Sequence, residues 1–490
     1  MPEQKTEGVL KKSIRGGTWL TFGYVVQKCI GLVSFLILAR LLTPAEFGIM
    51  AIILIVPKFL ESVTDTGFGA ALIQKAENIE CYLNPTWTLR ILKTMCLALL
   101  IAVFSPVIAS FFHSEAALLA IRWSGIFIII QSLSNIGETF FFKDLDFKKI
   151  FWRNIIREVA FVAAALLTVA FTKTYWVLFS ANLAAYAAQA LSTYFLSPYR
   201  PRFSFQFRPL WELVHYSKWI ISQRWLVQVY NLIENVTVAR LTPVSAVGLY
   251  SKAKSLSAIL PVFVSGTLGM VSFPAYAKLQ EEKEKIKDGF EKSLDILFFF
   301  TIPVMALVFA CGGRLITIFL GGNWLPMLPV LELMTLFFTL SGINELAVSV
   351  FNATGAPKKQ TYHGMVKFLA TALTIIPLTA TYGIVGTAIS LLIGGVMLLI
   401  LNLAGLKKMS LISTKALLNA LVVPITLSVL LWVTVALSGK VVTALPTVPF
   451  IAVVGGSGIT YLLLTYLAGQ MLSYGPYKTI RMVVKSSLGK

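Results

Sequence analysis

Apolar stretches of about 20 residues follow one another from Gly17 almost to the end of the chain, separated by short clusters of charge, proline and glycine. A helix of that length crosses a hydrocarbon core of about 30 Å. Charges and turn residues punctuate about fourteen such spans, at residues 17–39, 46–73, 85–112, 116–142, 151–171, 174–196, 213–239, 245–277, 290–311, 326–352, 361–380, 383–405, 416–438 and 447–473. Blocks such as CLALLIAVF (96–104) are apolar on every face, whereas barrel strands alternate polar with apolar. Helices satisfy their own backbone groups in lipid. The pattern therefore predicts an all-α polytopic membrane protein.

One motif is written twice. ARLLTPAEFG at 39–48 returns as ARLTPVSAVG at 239–248, and residues 17–48 align with 217–248 at a constant offset, pairing Trp19 with Trp219, Arg40 with Arg240 and Gly48 with Gly248. Each copy is the end of a first helix and the turn into a second. Six spans precede the second copy, and six is even, so the copies start on the same side as parallel repeats. Thr-Pro suits a helix start, with threonine placed to cap and proline tolerated in the first turn. The trailing glycine permits close helix approach, and the arginine suits the carbonyls of its own helix end. Two pseudo-symmetric six-helix bundles plus two C-terminal helices are expected: residues 1–16 an N-terminal segment, 17–205 and 206–410 the bundles, 411–475 spans 13 and 14, and 476–490 a basic tail.

Composition agrees, with 57% hydrophobic and 13% charged residues and a mean hydropathy of +0.79. The net charge of +20 suggests nucleic acid at first sight, but the basic residues are spread over alternate loops and read as topogenic contacts with anionic membrane lipid. The opposite loops hold few cations, namely Arg40, Lys173, Arg240, Arg314 and Lys440, which predicts cytoplasmic N- and C-termini. Lys11, Lys12 and Arg15 precede a first span that has no cleavage site at its end, so it reads as a true membrane helix. The four cysteines and three histidines have no disulfide or metal-ligand spacing, and no phosphate-cradling loop occurs, so neither cofactor, metal nor enzymatic activity is expected.

In order along the chain come ARLLTPAEFG, DTGFGAALIQ from Asp65, FKDLDFKK from Phe142, FPAYAKLQ from Phe273, GNWLPMLPVL from Gly322 and ATGAPK from Ala353. Together they resemble the polysaccharide-exporter family of Wzx-type flippases, in the branch that includes the colanic-acid exporter. The resemblance runs from about residue 10 to about 410. It implies the multidrug/oligosaccharidyl-lipid/polysaccharide superfamily fold, in which two bundles form a V around a cavity in the bacterial inner membrane. It also implies a cargo, an undecaprenyl-pyrophosphate-linked oligosaccharide turned from the inner to the outer leaflet by alternating access for surface polysaccharide assembly. Polysaccharide polymerase and assembly proteins are the partners such a role would have.

Ionisable residues inside spans are costly and usually face protein or water. Here Lys28, Lys58, Arg90, Lys93, Arg122, Arg157, Lys218, Arg224, Lys252, Lys254 and Lys367 stand against Glu61, Asp65, Glu138, Glu158, Glu234, Asp295, Glu332 and Glu345. Spans 13 and 14 carry none. A pyrophosphate enters a low-dielectric channel only where cations and donors replace its water. Lys28, Arg90, Lys93, Arg122, Arg224, Gln228, Asn231, Lys252 and Lys367 are the cavity candidates. Arg224, Gln228, Asn231 and Asn235 recur on one helical stripe, whose partners at the repeat offset include Tyr24 and Lys28, and Arg90 and Lys93 share a face. Arg90 and Lys93 equally suit interface anchors, and Lys28 and Arg224 simple helix pairing. Asp65, Glu332 and Glu345 are candidates for ion coupling, although Asp65 beside Thr66 and Gly67 suits a helix end. The alternatives are a peptidoglycan-precursor (lipid II) flippase or a multidrug exporter of the same fold, the latter disfavoured by the basic surplus. A membrane glycan polymerase or ligase is less well supported, since no large outside loop is available for catalytic residues.

Overall fold

The computed structural model describes residues 2–74, 79–437 and 447–471. They form helices and short turns, with no strand among them. The chain divides into two compact units, Met1–Gly248 and Leu249–Lys490.

In the first unit, α1 (Pro2–Leu41) leads into α2 (Pro44–Val63), α3 (Phe68–Gln74) and α4 (Glu80–Phe111). Three short helices follow, α5 (Leu118–Trp123), α6 (Gly125–Ser132) and α7 (Thr139–Lys143), then α8 (Phe147–Val169), α9 (Trp176–Leu196) and α10 (Leu210–Leu241). α8 lies along α9 and α1, α6 against α4 and α9, and α10 against α2, α3 and α4. Phe68, Leu72, Tyr82, Leu83, Trp87 and Ile91 pack into one buried cluster that joins α3 to α4.

The hydropathy pattern predicts unbroken spans at 46–73 and 116–142, and the structure interrupts both. α2 stops where the Thr64 hydroxyl donates to the Leu60 carbonyl at 2.6 Å and Asp65 Oδ1 accepts the Gly67 amide at 3.0 Å. Gly67 there has φ of +66°, a left-handed conformation that glycine adopts at no steric cost. α6 stops ahead of Asn135, whose buried side chain accepts the Gly137 amide at 2.8 Å and donates to the Tyr199 carbonyl at 2.6 Å. Local side-chain bonds of this kind compete with the helical ladder.

The second unit holds most of α11 (Val244–Lys278), with α12 (Lys283–Phe319), α13 (Leu328–Ala353), α14 (Pro357–Lys408), α15 (Thr414–Leu437) and α16 (Thr447–Met471). Phe290, Leu294, Leu297, Leu346, Val350 and Phe351 form its buried core. α14 is two helices joined at Gly383, whose φ of +59° is non-helical, and it matches the separate spans expected at 361–380 and 383–405. Its halves are bound together by Thr374 to Ser390 at 2.7 Å and Thr379 to Thr387 at 2.8 Å.

Among the described residues, seven helices are long and apolar enough to cross a membrane. α2 and α8 fall outside that set for a physical reason. They are also of membrane-crossing length, but carry charges such as Lys58 and Glu61, and Arg157 and Glu158.

Candidate functional site

Charge in the first unit converges from three helices. Lys58 and Glu61 stand three apart on α2, Arg90 and Lys93 three apart on α4, and Arg153 and Arg157 four apart on α8. Such spacings put each pair on one helical face. Glu61 lies in the electrostatic field of Lys93, Arg90, Asp65 and Lys58, and Lys58 in those of Arg157 and Glu61. Tyr186 on α9 faces Arg157 and Glu61.

The two α4 cations are engaged with backbone. Lys93 Nζ donates to the Thr64 carbonyl at 2.9 Å, at the end of α2. Arg90 Nε donates to the Ser132 carbonyl at 3.1 Å and its Nη2 to that of Ser134. Trp87 Nε1 also reaches the Ser134 carbonyl, at 3.2 Å, and the Thr94 hydroxyl reaches that of Ser132 at 2.9 Å. One face of α4 thus closes the carbonyl ends of both interrupted helices, where a helix carries its partial negative charge.

On α8, Arg153 pairs with Glu138 at 2.7 Å, and Arg157 with Glu158 at 3.3 Å. Glu158 also accepts Gln27 Nε2 from α1 at 3.0 Å. Lys58 is exposed and lies close enough to Arg157 for the two to repel. The arrangement suits an anion that brings more than one negative charge.

The other candidates are dispersed. Lys28 is exposed on α1, its Nζ 5.2 Å from the Tyr24 ring centre. Arg122 is exposed on α5 and donates from Nε to the Ser105 hydroxyl at 3.3 Å. Gln228 and Asn231 are half-buried on α10, where Asn231 accepts Asn235 Nδ2 on its carbonyl at 2.7 Å. The side chains of Arg224 and Lys218 lie outside the described residues. Asp65 shapes the turn after α2. Lys252, Lys367, Glu332 and Glu345 belong to the second unit. There Lys252 and Glu332 are half-buried, Lys367 sits 5.6 Å from the Phe337 ring centre, and Glu345 accepts the Ser265 hydroxyl at 2.5 Å. Among the described residues no cluster of His, Cys, Asp and Glu could hold a metal ion.

Gln27 and Tyr186 are uncharged and gave no sequence signal. For Lys58 and Arg157 the signal was available in their spacing to Glu61 and Arg153.

The family model described as polysaccharide biosynthesis protein matches residues 37–329, more than half of the chain. The chain belongs to that family. It is 24% identical to the teichuronic acid biosynthesis protein TuaB of Bacillus subtilis (strain 168), covering 71% of this chain and 72% of that protein. It is 21% identical to the lipopolysaccharide biosynthesis protein WzxC of Escherichia coli (strain K12), covering 68% of each. It is 25% identical to the succinoglycan biosynthesis transport protein ExoT of Rhizobium meliloti (strain 1021), covering 61% of each. Among solved structures, the lipid II flippase MurJ in an inward closed conformation shares the fold, with a TM-score of 0.71 over 92% of this chain and 99% of that one at 14% identity. An inward-facing multidrug resistance MATE transporter gives 0.61 over 78% and 94% at 16% identity. This member of the polysaccharide biosynthesis family is thus an all-α, multi-pass membrane protein.

Proposed function

We propose that the protein is a flippase that moves an undecaprenyl-pyrophosphate-linked oligosaccharide from the inner to the outer leaflet of a bacterial plasma membrane, by alternating access. Both termini then lie in the cytoplasm, and polysaccharide polymerase and assembly proteins take up the product. The observation that carries the reading is the pair of neighbouring cations Lys58 and Arg157, from α2 and α8, set among membrane-crossing helices. Their mutual repulsion is relieved by a ligand with concentrated negative charge, and a pyrophosphate that has shed its water needs such donors in return. The relatives' names span teichuronic acid, lipopolysaccharide and succinoglycan, so the glycan varies and the carrier end is the feature a common site would hold. Lys28 on α1 and the Gln228 and Asn231 stripe on α10 are proposed to meet the cargo further along its length. Arg90 and Lys93 act by holding helix ends.

The test is flipping of a fluorescent undecaprenyl-pyrophosphate disaccharide in proteoliposomes. Lys58→Met and Arg157→Met are expected to slow it at least tenfold each, with Lys58→Arg retaining most of the rate. Unchanged rates in both Met variants would sink the cationic-site assignment. Equal transport of lipid II by the wild-type protein would favour the peptidoglycan-precursor alternative, and deleting the gene identifies the glycan by which surface polysaccharide is lost.

A further inference from the structure

The connection between α9 and α10 has a composition of its own. From Phe195 to Trp211 it reads FLSPYRPRFSFQFRPLW, with three arginines, six aromatic residues and no acid. Its backbone is pinned to the start of α4. Asn84 Oδ1 accepts the Tyr199 hydroxyl at 2.9 Å and the Arg202 amide at 2.8 Å, and the Thr88 hydroxyl accepts the Ser204 amide at 2.9 Å. The Phe203 ring lies 5.0 Å from that of Trp87, and Phe207 packs against the buried cluster of α3 and α4. α4 is long and apolar enough to cross a membrane, and the segment lies across its Glu80 end. That position is the membrane surface.

Held in this way, the segment still leaves large apolar side chains outside. Phe195 is 88% exposed, Phe203 62%, Phe205 68% and Trp211 72%. So much clustered apolar surface marks a place of interaction, and at the end of a membrane helix aromatic rings suit the headgroup level. The cations beside them decide which partner. Arg200 turns back to donate to the Ser197 and Tyr199 carbonyls, at 2.6 Å and 2.9 Å. Arg202 and Arg208 are exposed, and among the described residues their guanidinium groups take no hydrogen bond or ion pair. Glu80, the acid at the start of α4, stands near Tyr199. A guanidinium presents a planar fork that matches phosphate oxygens and gives up its water more readily than an ammonium does.

We propose that residues 195–211 form a clasp for anionic phospholipid. Arg202 and Arg208 hold headgroup phosphates, while Phe195, Phe205 and Trp211 enter the interface beside them. The bound lipid fixes the depth of the α4 end that carries Asn84 and Trp87. The proposal needs only the multi-pass class and is independent of the cargo.

The full chain is tested in detergent micelles doped with phosphatidylglycerol or phosphatidylcholine. Wild-type protein is expected to retain phosphatidylglycerol preferentially through gel filtration, and to unfold at a higher temperature in its presence. Arg202→Gln with Arg208→Gln should cut that retention about tenfold, since each removes one cation from an anionic surface, and should abolish the rise in midpoint. Lys148→Gln with Lys149→Gln makes the same change of charge at the start of α8 and should cut retention less than twofold. Phe205→Ser with Trp211→Ser should lower retention of both lipids at least threefold. Without phosphatidylglycerol the arginine pair should unfold with the wild type, because neither guanidinium closes a bond in the fold. Equal losses in the two charge pairs would show diffuse attraction and overturn the clasp, and so would unchanged retention in the arginine pair. Displacement of the retained lipid by an equimolar amount of undecaprenyl pyrophosphate would give the segment to the carrier lipid and overturn it as well.

Discussion

Replacing Arg90 with methionine separates a helix clamp from a cargo cation. The guanidinium holds two carbonyls, Ser132 through Nε at 3.1 Å and Ser134 through Nη2. Ser134 keeps a second donor in Trp87, so the variant leaves chiefly the buried Ser132 carbonyl without its charged partner. A hydrogen bond to a charged group is worth about 1.5–3 kcal/mol, and a buried acceptor left unmade costs about as much. Taking about 2–3 kcal/mol, and about 2 °C per kcal/mol for a unit of this size, Arg90→Met should lower the unfolding midpoint by about 5 °C. Arg90→Lys keeps the charge but loses the two-pronged geometry, so it should recover less than half of that loss. Thermal unfolding in detergent micelles, read beside flipping in proteoliposomes, checks both. An unshifted midpoint in Arg90→Met, together with lost transport that Arg90→Lys restores, would refute the clamp and return Arg90 to the cargo site.

Asn402 is the middle of a buried chain in which His363 Nδ1 meets its Oδ1 at 2.8 Å and its Nδ2 reaches Asn344 Oδ1 at 2.9 Å; Asn402→Ala should cost about 2–4 kcal/mol by depriving His363 Nδ1 and Asn344 Oδ1 of that partner, read as a lower unfolding midpoint. Gly383→Ala meets open space but a left-handed backbone, so strain alone should cost about 1–3 kcal/mol, whereas Gly31→Ala, on a helical backbone with open space, should be neutral or slightly stabilising in the same melts. Glu158→Gln removes the carboxylate that accepts Gln27 and pairs with Arg157; binding of the undecaprenyl-pyrophosphate disaccharide should tighten on the order of tenfold, measured by titration in micelles.

The helical, multi-pass class was legible because apolar length is a one-dimensional property. The hairpin at Gly383 was legible for the same reason, since a glycine beside Tyr382 separates two full-length apolar runs. The breaks after α2 and α6 were not. Runs 46–73 and 116–142 are apolar on either side of short polar stretches at 61–67 and 131–138, and what stops each helix is one short side chain, Asp65 or Asn135, bonding the amide two residues on. The D-T-G at 65–67 and the S-N-I-G at 134–137 both carried turn signals, which a window of about 20 residues averages away. The face shared by Arg90 and Lys93 was readable from their spacing. That it would be turned to carbonyls was not, because those carbonyls are freed only where the two helices break, and spacing along α4 says nothing of where that is.

Those breaks also decide which cations are available to an anion. Each carbonyl end carries about half a negative charge, so α2 and α6 together place about one in the cluster, and it would repel a phosphate. Arg90 and Lys93 offset that charge where it arises, and Arg153 is held by Glu138. Of the remaining cations, Arg157 is shared with Glu158, while Lys58 and Lys28 are exposed. Anion affinity in this unit should therefore turn on Lys58 and Lys28 far more than on Arg90 and Lys93, which are engaged with backbone carbonyls. Lys28→Met with Lys58→Met should weaken binding of the pyrophosphate-linked disaccharide at least tenfold and reduce its salt dependence, since two cations that attract the anion are removed. The midpoint should stay within about 2 °C of wild type, because neither lysine closes a helix end. Lys93→Met should do the reverse, lowering the midpoint while leaving the salt dependence of binding intact. A double variant that binds as the wild type does, at low and high salt alike, would show that the cargo is not recognised by charge in this unit.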